Sequence, residues 1–141
     1  MQNWIQEAIS KWKVANVKLN PPASLLEIEK AELTLNFKFP EDFKQLYLIV
    51  NGFKGCDWQE HMFSFWSLEK IIIEYNNLDS PNYIGFSDFL LSSNFIGFNI
   101  DKTGIFKKYS IQFSDLVDGE LISKSFEEVV GMINSSNDLI Y

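Results

Sequence analysis

Cys56 and His61 are the chain's single cysteine and single histidine, and one loop carries both. A thiolate nucleophile needs a base within reach and a third group that orients the base. A structural zinc needs about four ligands. Asp57 and Glu60 fill out such a set only if all four side chains converge. A polar stretch of this composition, KGCDWQEH over residues 54–61, is more often simply a loop. Two further features are paired carboxylates, Glu41-Asp42 and Glu127-Glu128. Each pair falls in the first turn of a predicted helix, where the positive end of the dipole accounts for it. General acid–base work needs a buried carboxyl with a raised pKa. The chain carries no GxGxxG, P-loop or GxSxG pattern. Asn134-Ser135-Ser136 matches a glycosylation sequon, which matters only in a secreted chain. No catalytic, cofactor-binding or metal-ligating residue is assigned, and the expected protein is not an enzyme.

Trp58 is of another kind. It stands among Lys54, Asp57, Gln59 and Glu60, with no periodicity to bury it. An exposed loop tryptophan is the residue type that anchors protein interfaces. The competing reading folds it back onto the sheet.

The charge balance narrows the partner. The formal net charge is −7, and all 12 basic residues are lysine. Arginine is the preferred reader of phosphates and guanine edges, so an acidic chain without it is a poor nucleic-acid binder. A basic protein partner is the better fit, since complementary charge speeds encounter. The plainer reading is that the charge serves solubility. No apolar run is long enough to span a bilayer. The first residues, MQNWIQEAISKWK, lack the basic start, apolar centre and small-residue cleavage site of a signal peptide. The expected setting is the cytoplasm, where an unpaired cysteine is at home.

The 141 residues read as one domain, 1–141. Trp4, Ile5, Ala8, Ile9 and Trp12 share one helical face. Asn20-Pro21-Pro22 forces an extended joint. Ser24 and Glu27 then spell a capping box opening a helix from Leu25 to Leu35, with Asn36 as its left-handed end. FPEDFKQLYLIVNGF, residues 39–53, reads as another helix. Pro40 suits its first position, Phe39, Phe43, Leu46, Tyr47 and Val50 form the buried face, and Asn51-Gly52 stops it. Residues 62–66 read as a strand, and Ser67 opens a helix to about Asn77 with Leu68, Ile71, Ile72 and Tyr75 inward. Asp79-Ser80-Pro81-Asn82 is a turn. Aromatic and β-branched runs at 83–86, 89–91, 95–100, 105–111 and 120–122 predict an antiparallel meander, with 101–104 as its clearest hairpin turn. Ser125 and Glu128 predict a second capping box before a last helix, and the tail SSNDLIY reads as frayed or weakly docked. The expected class is α+β: a sheet of about four to six strands packed with N-terminal helices and a closing C-terminal helix.

Ile28, Glu32, Leu35, Asn36, Phe39-Pro40, Asp42-Phe43 and Asn51-Gly52, in this order, resemble the signature of the SUKH superfamily. These are the relatives of the Smi/Knr fungal cell-wall synthesis regulators. Asn36 stands where the family has Gly, and Phe39 where it usually has Leu. FWSLEKI, residues 65–71 and including Trp66, looks like the family's Trp-Ser-Leu-Glu segment. FIGFNIDKTGIFKKY resembles its strand–turn–strand, and SFEEVV its closing helix. The resemblance spans about residues 24–133. It implies an α+β fold and a non-catalytic, protein-binding role. Many bacterial members look like immunity proteins that neutralise a toxin by binding it, often a nuclease; fungal members look like scaffolds in cell-wall and stress signalling. The signature residues are architectural and carry no active site across.

The expectation is therefore a cytoplasmic immunity protein for a basic toxin, with a regulatory scaffold as the alternative and no nucleic acid, membrane or cofactor as partner. Candidate contacts are Asp57, Trp58, Glu60, Glu74, Asp79 and Tyr83, on predicted loops or an exposed helix face.

Overall fold

In the computed structural model, which describes residues 2–55, 57–77, 81–90, 92–109 and 119–141, Ser24 and Glu27 form the capping box in full. The Glu27 N–H donates to Ser24 Oγ, and the Ser24 N–H donates to Glu27 Oε1, each at 3.1 Å. This opens helix α2 (Leu25–Leu35), which ends on Asn36 at φ 51°. It follows α1 (Asn3–Val14) and precedes α3 (Glu41–Tyr47), α4 (Leu68–Asn77) and α5 (Phe126–Asn134). Strands β1 (Phe63–Phe65), β2 (Tyr83–Phe89), β3 (Asn94–Asn99), β4 (Lys102–Tyr109) and β5 (Glu120–Ser123) form one antiparallel sheet in chain order. The α+β class and the antiparallel meander expected from the sequence are what the chain adopts.

Phe43 sits at the centre. Its ring stacks on Phe39 at 4.3 Å and on Tyr47 at 4.1 Å, and meets Phe126 edge-on at 5.0 Å. Phe86 and Phe98 complete this cluster from the sheet. Pleating sends Tyr83 and Gly85 to the opposite face of β2. There Trp66 lies over Gly85, where a Cβ would come within 3.1 Å of the indole, and packs edge-on against Phe95. Both faces of the central sheet are thus lined with rings, and every residue of β3 is buried.

Several local expectations give way to tertiary contacts. Pro40 is not the first helical residue of α3 but its N-cap, at ψ 155°, with its carbonyl accepting the Lys44 N–H. α3 stops at Tyr47 rather than at Asn51-Gly52. The Asn51 side chain instead accepts the Leu68 N–H at 2.9 Å and so caps α4 from a distance. Gly52, at φ 68°, has the Trp66 carbonyl where a Cβ would lie 2.4 Å away. The predicted run at 83–86 and Phe89 of the run at 89–91 belong to one strand, because Ser87 and Asp88 are satisfied inside it: Ser87 Oγ donates to the Ser64 carbonyl and Asp88 accepts the Trp66 indole N–H. The β3–β4 reversal falls at Ile100-Asp101, ahead of the predicted 101–104 turn, because a register shift follows Gly97 and pairs Asn99 with Lys102. Only half of the second capping box forms. Ser125 Oγ accepts the Glu128 N–H, but the Ser125 N–H turns to Ser123 Oγ. Of the two readings of the tail, frayed or weakly docked, the fold realises the docked one. Residues Asp138–Ile140 form a 3-10 turn with Ile140 fully buried. Lys107 Nζ holds the Leu139 and Tyr141 carbonyls, and Asn94 Nδ2 holds that of Ile140. Residues 79–80, 91, 110–111 and 118 of the predicted turns and strands lie outside the described residues.

Candidate partner-binding groove

The loop ahead of β1 is built around a buried amide. Gln59 is 3% exposed, and its Oε1 accepts the N–H groups of His61 and Phe63. The Gln59 N–H donates to the Phe63 carbonyl, and Met62 takes φ 69° to close the turn. Asp57 pins the loop to the chain after α1: its Oδ2 accepts the Lys18 N–H at 2.7 Å and its Oδ1 the Trp58 N–H at 3.1 Å. With Gln59 inward and Asp57 tied down, Trp58, Glu60 and Met62 point out. Trp58 is 43% exposed, so the exposed reading of this residue is the one the fold realises.

Trp58 and Met62 form one wall of an open groove of about 610 Å³. The C-terminal half of α1 forms the other, through Ser10, Lys11, Val14 and Ala15, and Asn134 at the end of α5 lies between them. The mixture of apolar wall, exposed indole and a few polar groups suits recognition of another molecule.

Among the candidate contacts, the fold brings Asp57, Trp58 and Glu60 together on this groove. Glu74 lies on α4, which packs on α2 and β2, and does not line it. Asp79 lies outside the described residues. Tyr83 does not fit its expected exposure: it is 2% exposed, and its hydroxyl donates to the Phe106 carbonyl at 2.8 Å. It opens β2 rather than ending a loop, and burial pushes its pKa up. Cys56 lies outside the described residues, and His61 Nε2 approaches Glu60 Oε1 at 3.5 Å. Among the described residues no three His, Cys, Asp or Glu side chains gather as a metal site does.

Asn134, Val14 and Met62 were not among the candidates. Asn134 follows Val130 by one helical turn, on the inward face of α5, and a polar residue there is the signal that the sequence offered. It is 7% exposed and its Oδ1 accepts the Trp12 indole N–H at 2.9 Å, so the asparagine of the sequon is buried.

The signature residues do architectural work. Ile28, Leu35, Phe39 and Phe43 are core. Buried Glu32 accepts the Phe39 N–H at 2.8 Å and pairs with Lys44 at 3.5 Å. Asp42 Oδ2 accepts the Glu127 N–H at 2.9 Å, capping α5. Trp66 receives the Tyr47 hydroxyl on its carbonyl at 2.6 Å.

No curated protein matches the chain. A family model does, over residues 22–131, and that span runs from the joint before α2 into α5, taking in every signature residue just described; the chain belongs to the SMI1 / KNR4 family (SUKH-1).

Proposed function

We propose that the chain is a non-catalytic protein-binding module of the cytoplasm that neutralises a cognate toxin by covering its active or substrate-binding surface. Membership of the SMI1 / KNR4 family (SUKH-1) supports an immunity-like or regulatory role. The observation that carries the reading is the exposed Trp58, held between Asp57 and Glu60 on a loop whose backbone is fixed by Gln59. A rigid aromatic flanked by acids is a preorganised anchor for a basic surface. The net charge of −7 adds long-range attraction to a basic toxin domain, such as a nuclease, whose own substrate is an anion. A regulatory scaffold for envelope or cell-wall synthesis is the second reading, since family membership supports it equally.

A pull-down from native lysate with mass spectrometry, at low and moderate salt, separates the two. The immunity reading expects a basic toxin domain, released as salt rises because screening weakens the encounter. Recovery of signalling or envelope-synthesis proteins instead establishes the scaffold. Binding that ignores salt removes the acidic face from the mechanism.

A further inference from the structure

The groove beside Trp58 is lined by an amide donor that bonds to none of the described residues. An indole N–H only donates, so the Trp12 contact fixes Oδ1 of Asn134 as the acceptor and turns Nδ2 the other way. Among the described residues Nδ2 has no partner, and the residue, though more than nine-tenths buried, lines the groove. Nδ2 still reaches solvent and so stands open to an acceptor on a ligand. The walls above it are apolar and open: Val14 is 84% exposed and Met62 46%. Glu60 pairs, among the described residues, with the His61 imidazole alone. Asp57 spends its oxygens on backbone N–H groups and meets no cation among the described residues. Among the described residues that line the groove, two are carboxylates and one, Lys11, is an ammonium.

We propose that the groove takes an extended peptide segment of the protein partner. A backbone carbonyl accepts from Asn134 Nδ2, an apolar side chain lies on Trp58, and a neighbouring Lys or Arg faces Glu60. This rests on the protein-binding reading and adds the chemistry that is read. A peptide offers a carbonyl at every residue and alternates its side chains, which suits a groove lined by an amide donor, an exposed indole and carboxylates. The cation follows from the carboxylate excess and from the indole face, which attracts positive charge.

The test uses the full chain and a display library of random dodecapeptides. Enriched peptides are expected to pair an apolar residue with Lys or Arg, and to shift the Trp58 indole and Asn134 side-chain amide resonances. Trp58→Ala should weaken the selected peptide roughly 30-fold. Asn134→Asp keeps the acceptor for Trp12 but sets an oxygen against the peptide carbonyl, and should weaken it comparably; Glu74→Gln should leave it unchanged. Should Asn134→Asp misfold, the amide resonance of the unaltered protein decides: no shift on peptide binding overturns the proposal. Enrichment of sequences without a cation, or affinity indifferent to Trp58→Ala, overturns it too. If a lysate partner binds Trp58→Ala as tightly as the unaltered chain, the groove is wrong and the protein-binding role stands. If the peptides behave as expected but no protein is recovered from lysate, the groove stands and the toxin reading falls.

Discussion

Asp88 puts a carboxylate in the interior, 4% exposed, with its Oδ1 2.8 Å from the Trp66 indole nitrogen. The pair holds a ring that packs over Gly85 and under Lys70, so one hydrogen bond orients the joint between β2 and α4. Removing the acceptor leaves a buried N–H unmatched, at about 1–3 kcal/mol. Asp88→Ala should lower the urea midpoint accordingly, and Asp88→Asn, which keeps an acceptor, should lose less. An unchanged midpoint in Asp88→Ala would mean that water replaces the carboxylate. Neither partner advertises this in the sequence. Trp66 was legible as part of a family segment, but its bond to Asp88 spans 22 residues. Asp88 instead looked like a break between two strands, because a carboxylate is a poor strand residue until something buries and bonds it.

Helix ends show the same division among elements. The α2 box lies within four consecutive residues and was readable at sight. α4 and α5 have local caps in Ser67 and Ser125, but each takes a further cap from a distance, Asn51 for α4 and Asp42 for α5. Asp42→Ala should cost about 1 kcal/mol, the usual value of a lost cap, measured by chemical denaturation. Asp42→Asn should recover most of it, since the amide oxygen still accepts. A sharper case is Gly52. Its positive φ and the carbonyl of Trp66 exclude any Cβ, so Gly52→Ala should destabilise by more than about 4 kcal/mol or abolish folding, as judged by circular dichroism. The tail gives a third test. Ile140→Ala should cost about 2–5 kcal/mol because the side chain is fully buried, whereas a frayed tail would lose almost nothing. Composition made this segment look loose; Lys107 and Asn94, distant in sequence, hold its carbonyls.

At the scale of the whole molecule, stability should fail in alkali. Burial raises the hydroxyl pKa of Tyr47 and Tyr83 above the ordinary value of about 10. The folded chain then keeps protons that the unfolded chain gives up, so stability is intact below about pH 10 and falls as pH rises beyond it. Thermal melts across that range should show the decline, and Tyr47→Phe should flatten it while lowering the neutral-pH melting temperature through loss of the bond to Trp66. A decline of equal slope in Tyr47→Phe would assign the alkaline loss to other groups. The net charge of −7 acts at this scale as well, on encounter with a partner rather than on the fold.

The sequence by itself determined what local physics and pattern can encode: five helices near their observed places, the antiparallel meander, the α+β class and the family resemblance. It also singled out Trp58 as a residue without a periodic reason to be buried. Only the tertiary structure decided where Asp42, Asn51 and Asp88 spend their hydrogen bonds, that Tyr83 is interior, and that the tail docks. It alone brought Asn134 beneath the loop of Trp58. The reason is one of range. Capping boxes and amphipathic faces are contracts among residues a few positions apart. A buried polar group can take its partner from anywhere in the chain that packing brings within 3 Å, and a groove has no sequence signature beyond the polar residue left on an apolar face.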